Sequence, residues 1–206
     1  MKKILGLLLL LFVLPVAAAE PGPDEVVRKV TDEVMQAVQQ SEALKSGQRE
    51  AVMALVREKV LPHVDFRAAA RIALGRDWRL ATPEQREQLV REFQNMLLRI
   101  YTNSIGAYRG QTLEVQRLKM MPGETDVTVR NRYLQPGRPP VSVDYAMHRT
   151  PEGWKIYDVV VEGVSLALTY RSEFSAIVRE SGIDGLLKRL AEKNAPAPLK
   201  PAAAAS

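Results

Sequence analysis

The sequence predicts an α+β fold: a single domain whose helices pack on a curved antiparallel sheet of four strands, with room for a fifth. Three observations carry this prediction. Apolar residues recur at helical spacing from Asp24 to about Tyr108. The period then shortens to two between Leu113 and Val161, and helical spacing returns from Leu166 to Lys193. Helices, then strands, then helices again is the pattern of helices segregated against one sheet.

Val26, Val30, Val34 and Val38 recur every fourth residue, which predicts an amphipathic helix from about Asp24 to Ser41. Gly47 breaks the chain, and a second stripe at Val52, Leu55, Val56 and Val60 stops at Pro62. Asp65 caps a third helix running to Leu74, with Gly75 in the position that favours positive φ. Thr82-Pro83-Glu84-Gln85 is the clearest start signal in the chain. It places a capping hydroxyl, a proline at the first helical position and a glutamine three residues after the cap. A long helix follows from Pro83 to about Tyr108, ending near Gly110.

Strands are predicted over Leu113 to Met120, Val127 to Tyr133, Val141 to Met147 and Trp154 to Val161, with Pro122-Gly123 and Pro136-Gly137 as turns. In the last of these, alternation puts Trp154, Ile156 and Val160 on one face and Tyr157, Val159 and Val161 on the other. Both faces then need cover, and a sheet curved around a cavity provides it. Ser165 caps a helix with the stripe Leu166, Tyr170, Phe174, Ile177 and Val178. Gly182 ends it, and a last helix spans Asp184 to Lys193.

Both ends of the chain stand apart from this domain. Lys2 and Lys3, the apolar run Ile4 to Leu14, Pro15 and then Ala17-Ala18-Ala19 have the order of a secretory signal peptide over residues 1–19. The run is short for a membrane span, which wants about 20 apolar residues, so cleavage before Glu20 is expected rather than an N-terminal anchor. The folded domain is expected over residues 20–194. Residues 195–206 form an Ala- and Pro-rich tail too poor in large apolar groups to pack.

Charge and composition exclude several function classes. Of 29 basic and 24 acidic residues, only Lys2 and Lys3 fall in the leader, so residues 20–206 carry 27 against 24, a surplus of three. That mixed surface has no stripe able to track nucleic-acid phosphates, though it leaves room for weak attraction to an anionic membrane. There are no cysteines, which removes disulfides, thiol catalysis and lipoprotein anchoring. His63 and His148 lie far apart with no second ligand at metal spacing, so no metal and no cofactor are expected.

One segment has the context of a hydrolase nucleophile. Gly163-Val164-Ser165-Leu166-Ala167 follows a strand and opens a helix, and His148 and Asp158 stand on the two preceding strands. Against this, Ala167 replaces the second glycine, the chain order is wrong, and the sheet is antiparallel. The simpler expectation is that Ser165 is a helix cap and that no residue is catalytic. An excess of large apolar groups remains on elements that face one another. These groups either form ordinary core or line a pocket; the pocket reading takes Tyr101 and Ile105 from the long helix, and Val129, Tyr133, Val143, Tyr145 and Met147 from the strands. Val164, Leu168 and Phe174 complete it.

Several stretches resemble one family. They are Leu61-Pro62-His63-Val64-Asp65-Phe66, Ala81-Thr82-Pro83-Glu84-Gln85-Arg86, Tyr108-Arg109-Gly110-Gln111-Thr112, Gly137-Arg138-Pro139-Pro140-Val141 and Trp154-Lys155-Ile156-Tyr157-Asp158. Val161-Glu162-Gly163-Val164-Ser165, Tyr170-Arg171-Ser172-Glu173-Phe174 and Gly182-Ile183-Asp184-Gly185-Leu186 come after them in order. Together they resemble the MlaC (toluene-tolerance, Ttg2-type) family of periplasmic phospholipid-binding proteins. The resemblance implies an NTF2-like shape with a deep apolar cavity for phospholipid tails, the headgroup staying outside. It also implies a shuttle in the periplasm between an outer-membrane lipoprotein complex and an inner-membrane ABC transporter complex with its substrate-binding subunit, maintaining outer-membrane lipid asymmetry. Hiding two acyl chains means covering roughly thirty methylenes at about 0.8 kcal/mol each, on the order of 20 kcal/mol, which calls for an enclosed pocket. A lipid hydrolase working through Ser165 and a non-catalytic envelope adaptor are the alternatives. If the leader reading is right, N-terminal sequencing of the exported protein starts at Glu20 or within two residues of it. A product retaining Met1 to Leu14 contradicts it.

Overall fold

A computed structural model of the chain describes residues 20–105 and 112–195, with the side chains of 101–105 outside the description. The expected leader and nearly all of the expected tail therefore lie outside the described residues. Helix α1 runs Pro23–Gln40, with proline in its first turn and Glu25 reaching back to accept from the Gly22 N–H at 3.0 Å. Short helices α2 (Glu42–Lys45) and α3 (Arg49–Leu55) follow. One wide turn over Val56–Val60 and one tight turn over Leu61–His63 then bring the chain to Asp65. Asp65 caps α4 (Phe66–Leu74) through its carboxylate on the Ala68 N–H at 2.9 Å, and Gly75 leaves that helix at φ 58°.

The capping box read in the sequence opens α5 (Pro83–Ile105). Gln85 N donates to Thr82 Oγ1 at 3.2 Å, and Thr82 N donates to Gln85 Oε1 at 2.9 Å. The expected end of that helix near Tyr108 falls outside the described residues. After the sheet come α6 (Leu166–Thr169) and α7 (Arg171–Asn194). The break expected at Gly182 is real: α7 kinks there, with Gly182 at φ 70° and ψ −173°. Among the described residues, no helix is long and apolar enough to cross a membrane.

The sheet has six strands rather than four: β1 (Thr112–Val115), β2 (Asp126–Val129), β3 (Asn131–Leu134), β4 (Val141–Thr150), β5 (Gly153–Val161) and β6 (Val164–Ser165). Its order is β1-β3-β4-β5-β6, all antiparallel, with β2 also paired to β4. Two of the extra strands have local causes. β2 and β3 are the one strand expected over Val127 to Tyr133, and both pair with β4 in a single register that Arg130 interrupts. β6 is the two-residue edge formed where Glu162, at φ 48°, and Gly163, at φ 80°, turn the chain back on β5.

A bulge corrects the expected alternation of β5. Val159 lies opposite Tyr145 and Ile156 opposite Met147, so Tyr157 is the extra residue and the alternation shifts by one. Residues opposite each other share a face. Trp154, Ile156, Val159 and Val161 therefore lie on one face, beside Met147, Tyr145 and Val143. Lys155, Tyr157 and Asp158 turn to the other.

Three apolar cores result. One lies among α4, α5 and α7, centred on Leu74, Leu89, Phe93, Phe174, Leu186 and Leu190. There the Phe93 ring meets Tyr170 and Phe174 edge-on at 5.6 and 5.8 Å. The second joins Val27 of α1 to Val115, Val127, Val129, Met147 and Trp154 of the sheet. The third holds Val38, Leu44, Val52, Leu55 and Val56 among α1, α2 and α3. The kink at Gly182 turns α7 so that both limbs, through Val178 before it and Leu186 and Leu190 after it, reach the first core. Gly182 occupies backbone that only glycine adopts freely. Gly182→Ala is therefore expected to lower stability by about 1–3 kcal/mol, read by urea unfolding.

Candidate functional site

The sheet face that packs on α1 is closed at one end and open at the other. At the closed end Val129 and Met147 are fully buried, and Trp154 nearly so, beneath Val26 and Val27 of α1. Two polar contacts fix that helix in place. Arg28 Nη1 donates to the Val115 carbonyl at 2.8 Å, and Asp24 holds both Arg28, at 3.3 Å, and the Leu118 N–H, at 3.4 Å. Toward the other end, Val141, Val143, Tyr145, Val159 and Val161 continue the same apolar face, yet each stays only half-buried.

Tyr145 marks where that open end begins. Burial alone pushes its phenol up to about 12, so the ring lies deep in the protein. It nevertheless keeps accessible surface. Its ring packs against the closed core yet stays half-buried, so Tyr145 stands at the border between the packed end and the open end. Beside it, opposite Val143 by the shared register, stands Asn131, the one polar residue that is fully buried among those described. Its Nδ2 donates to the Val129 and Val143 carbonyls at 2.8 and 3.0 Å, and its N–H donates to Asp144 Oδ1 at 3.1 Å, while Oδ1 has no partner. The apolar face thus carries one acceptor awaiting a donor.

The sequence expected ten lining residues, and the structure brings half of them together. Val129, Tyr133, Val143, Tyr145 and Met147 share this face. Only the last part of it is open, because α1 seals Val129 and Met147. Phe174 belongs to the helical core instead, where it is 1% exposed. Val164 and Leu168 point outward at 58% and 46% exposure, since the turn at Glu162–Gly163 sends β6 and α6 along the sheet edge. The side chains of Tyr101 and Ile105 lie outside the described residues. Val159, Val161 and Asn131 were missed. The bulge at Tyr157 hid the first two, and nothing in the sequence distinguishes Asn131 from a turn residue. Two surface hollows, of about 490 Å³ between the limbs of α7 and about 430 Å³ around Phe66, Val90 and Lys155, include none of this face.

Ser165 does not assemble a triad. Its Oγ accepts from the Leu168 N–H at 3.0 Å, the cap that the sequence suggested, and donates to Asp158. Asp158 also accepts from the Val159 and Ala167 N–H groups at 2.9 and 3.1 Å, so its carboxylate ties β5 to α6. His148 is engaged elsewhere, with Nε2 3.0 Å from Asp65 Oδ2. Among the described residues, no group of three or more His, Cys, Asp or Glu side chains is placed to hold a metal.

The MlaC family model matches residues 28–192, most of the chain. This chain belongs to the MlaC family. A curated relative from Haemophilus influenzae, described as an intermembrane phospholipid transport system binding protein MlaC, is 23% identical over 177 residues, covering 84% of this chain and 83% of the relative. The toluene tolerance protein ttg2D of Pseudomonas putida is 25% identical over 186 residues, covering 87% and 84%. A solved phospholipid-binding protein from Ralstonia solanacearum, in complex with a phospholipid, superposes with a TM-score of 0.77 at 32% identity. That match covers 84% of this chain and 97% of the other. The α+β architecture is thus that of an MlaC protein.

The closed and open ends of the face respond differently to charge. Met147→Asp buries an unpaired carboxylate in a sealed core and is expected to cost several kcal/mol, enough to unfold the protein. Val143→Asp faces a space that water can enter, so its melting temperature stays close to that of the parent. Paired thermal melts of the two variants check the division.

Proposed function

We propose that this MlaC-family chain is a phospholipid carrier of the periplasm. In this reading it holds acyl chains against the open end of the sheet and moves lipid between outer-membrane and inner-membrane complexes. The single observation that carries the reading is the half-buried apolar field of Val143, Val159 and Val161, which continues the sheet face beyond its packed end. An apolar face of this kind suits methylene chains, which gain about 0.8 kcal/mol for each CH₂ removed from water. The phospholipid in the Ralstonia solanacearum relative supports the same cargo. The apolar leader supports export, and the system named for the Haemophilus influenzae relative supports membrane-bound partners at both ends of the route.

The reading needs no chemical step. In this reading Val143, Tyr145, Val159 and Val161 line the pocket, Tyr133 extends it on β3, and Tyr101 and Ile105 reach it from α5. Val164 and Leu168, facing outward, are free to meet a partner, while Phe174 supports the helical layer. Native mass spectrometry of protein purified from the periplasm, followed by organic extraction, tests the proposal. Bound phospholipid is expected, and Val143→Asp is expected to emerge folded and largely empty. Ser165→Ala should lose about 1 kcal/mol of stability and keep its lipid. Lysolipid in the extract, abolished by Ser165→Ala, supports a hydrolase instead, and an empty parent protein supports an adaptor.

A further inference from the structure

The surplus positive charge of this protein is not spread evenly. The segment from Phe66 to Glu87 carries five arginines against Asp77, Glu84 and Glu87, a surplus of two. Outside the first nineteen residues, the rest of the chain carries 22 basic and 21 acidic residues and is nearly neutral. The fold sets two of these arginines over one ring. Arg67 and Arg86 lie over Trp78 at 5.9 and 5.5 Å, and Arg86 Nε also donates to the Trp78 carbonyl at 3.2 Å. Arg67 and Arg71 are four apart on α4 and share its face. Arg76 and Arg79 are three apart in the 3₁₀ turn Gly75–Leu80, where residues at that spacing stack directly above one another.

Arg67 is engaged by Glu87. Arg71, Arg76 and Arg79 are exposed and, among the described residues, have no acidic partner. Leu80, next in the chain, is 65% exposed. Unpaired guanidinium groups, a half-buried indole and a projecting leucine form the composition that settles at a lipid headgroup layer. There the cations meet phosphates and the apolar groups enter the acyl boundary. A purely acidic protein surface offers nothing to Leu80.

We propose that the exposed Arg71, Arg76 and Arg79, with the projecting Leu80, dock the carrier on the surface of an anionic phospholipid bilayer. This rests on the carrier reading above. None of these four residues belongs to the sheet, so cargo can be held there while the protein rests on a membrane.

Co-sedimentation of the full-length exported protein tests this. The vesicles are either phosphatidylglycerol mixed with phosphatidylethanolamine or phosphatidylcholine alone, at about 0.02 M and about 0.3 M salt. The parent is expected to prefer the anionic vesicles and to release as salt rises. The triple variant Arg71→Gln, Arg76→Gln, Arg79→Gln should lose roughly tenfold or more of that binding. Leu80→Ser should lose the fraction that persists at high salt. A control with the same charge removed elsewhere, Arg49→Gln, Arg57→Gln, Lys188→Gln, should bind like the parent. The proposal is overturned if the parent shows no preference for anionic vesicles or if the control loses as much as the patch variant. It is also overturned if the patch variant loses binding to soluble polyglutamate but not to vesicles, which marks a protein-docking face. Phospholipid extracted from each variant is measured alongside, so that loss of cargo and loss of the membrane contact are read separately.

Discussion

The arrangement depends on α1 being fixed across one end of the sheet. Val26 and Val27 lie on Val115, Val127, Val129, Met147 and Trp154, and the Arg28–Asp24 pair binds the helix to the backbone at Val115 and Leu118. Burying five or six such side chains contributes on the order of 10 kcal/mol. Because that end is packed solid, the strands keep their register without help from their other end. A face packed at one end can leave its other end uncovered while the sheet keeps its shape. If α1 ran along the whole face, Val143, Val159 and Val161 would join the core that Tyr145 already packs against, and nothing would remain to receive a ligand.

The polar groups serve the same division. Asp158 satisfies the N–H groups of Val159 and Ala167 and the Ser165 hydroxyl, which anchors α6 to the outer side of β5. Asp65 joins the α4 N-terminus to the sheet through His148, and its own N–H donates to the Ile156 carbonyl at 2.8 Å. These ties attach the helical core of Phe93 and Phe174 to the sheet from the side opposite α1. The sequence raised Ser165, Asp158 and His148 as catalytic candidates. In the structure they are fastenings, and the two carboxylates that hold the layers together keep Ser165 and His148 apart.

Much of this was legible in the chain. The capping box at Thr82, the Asp65 cap, the Gly182 break and the common face of Val143, Tyr145 and Met147 come from local chemistry and from the alternation of a regular strand. The missed features depend on partners distant in sequence. One extra residue at Tyr157 reverses the facing of Trp154 and Ile156 relative to Val159 and Val161, and no period-two pattern can show where such a residue sits. Asn131 reads as a turn former, yet its side chain takes over hydrogen bonds at the point where Arg130 interrupts the strand. Phe174 was misplaced for a different reason. Its apolar stripe is genuine, but which of two cores that stripe enters is decided by the turn at Glu162–Gly163.

A carrier faces a constraint that an enzyme does not, because its affinity must match its destination rather than exceed it. Acyl chains leave an apolar bilayer and enter an apolar pocket. The roughly 20 kcal/mol needed to keep about thirty methylenes from water is therefore nearly the same at both ends of the transfer. Only the small difference remains, and each 1.4 kcal/mol of it changes the partition about tenfold. A pocket packed as tightly as the Met147 end would hold its cargo too well and could not give it up. In the proposed carrier, the half-buried state of Val143, Tyr145, Val159 and Val161 would therefore serve function rather than mark a defect of packing. Lipid held there would be packed below the density of a closed core, which is the condition for handing it on.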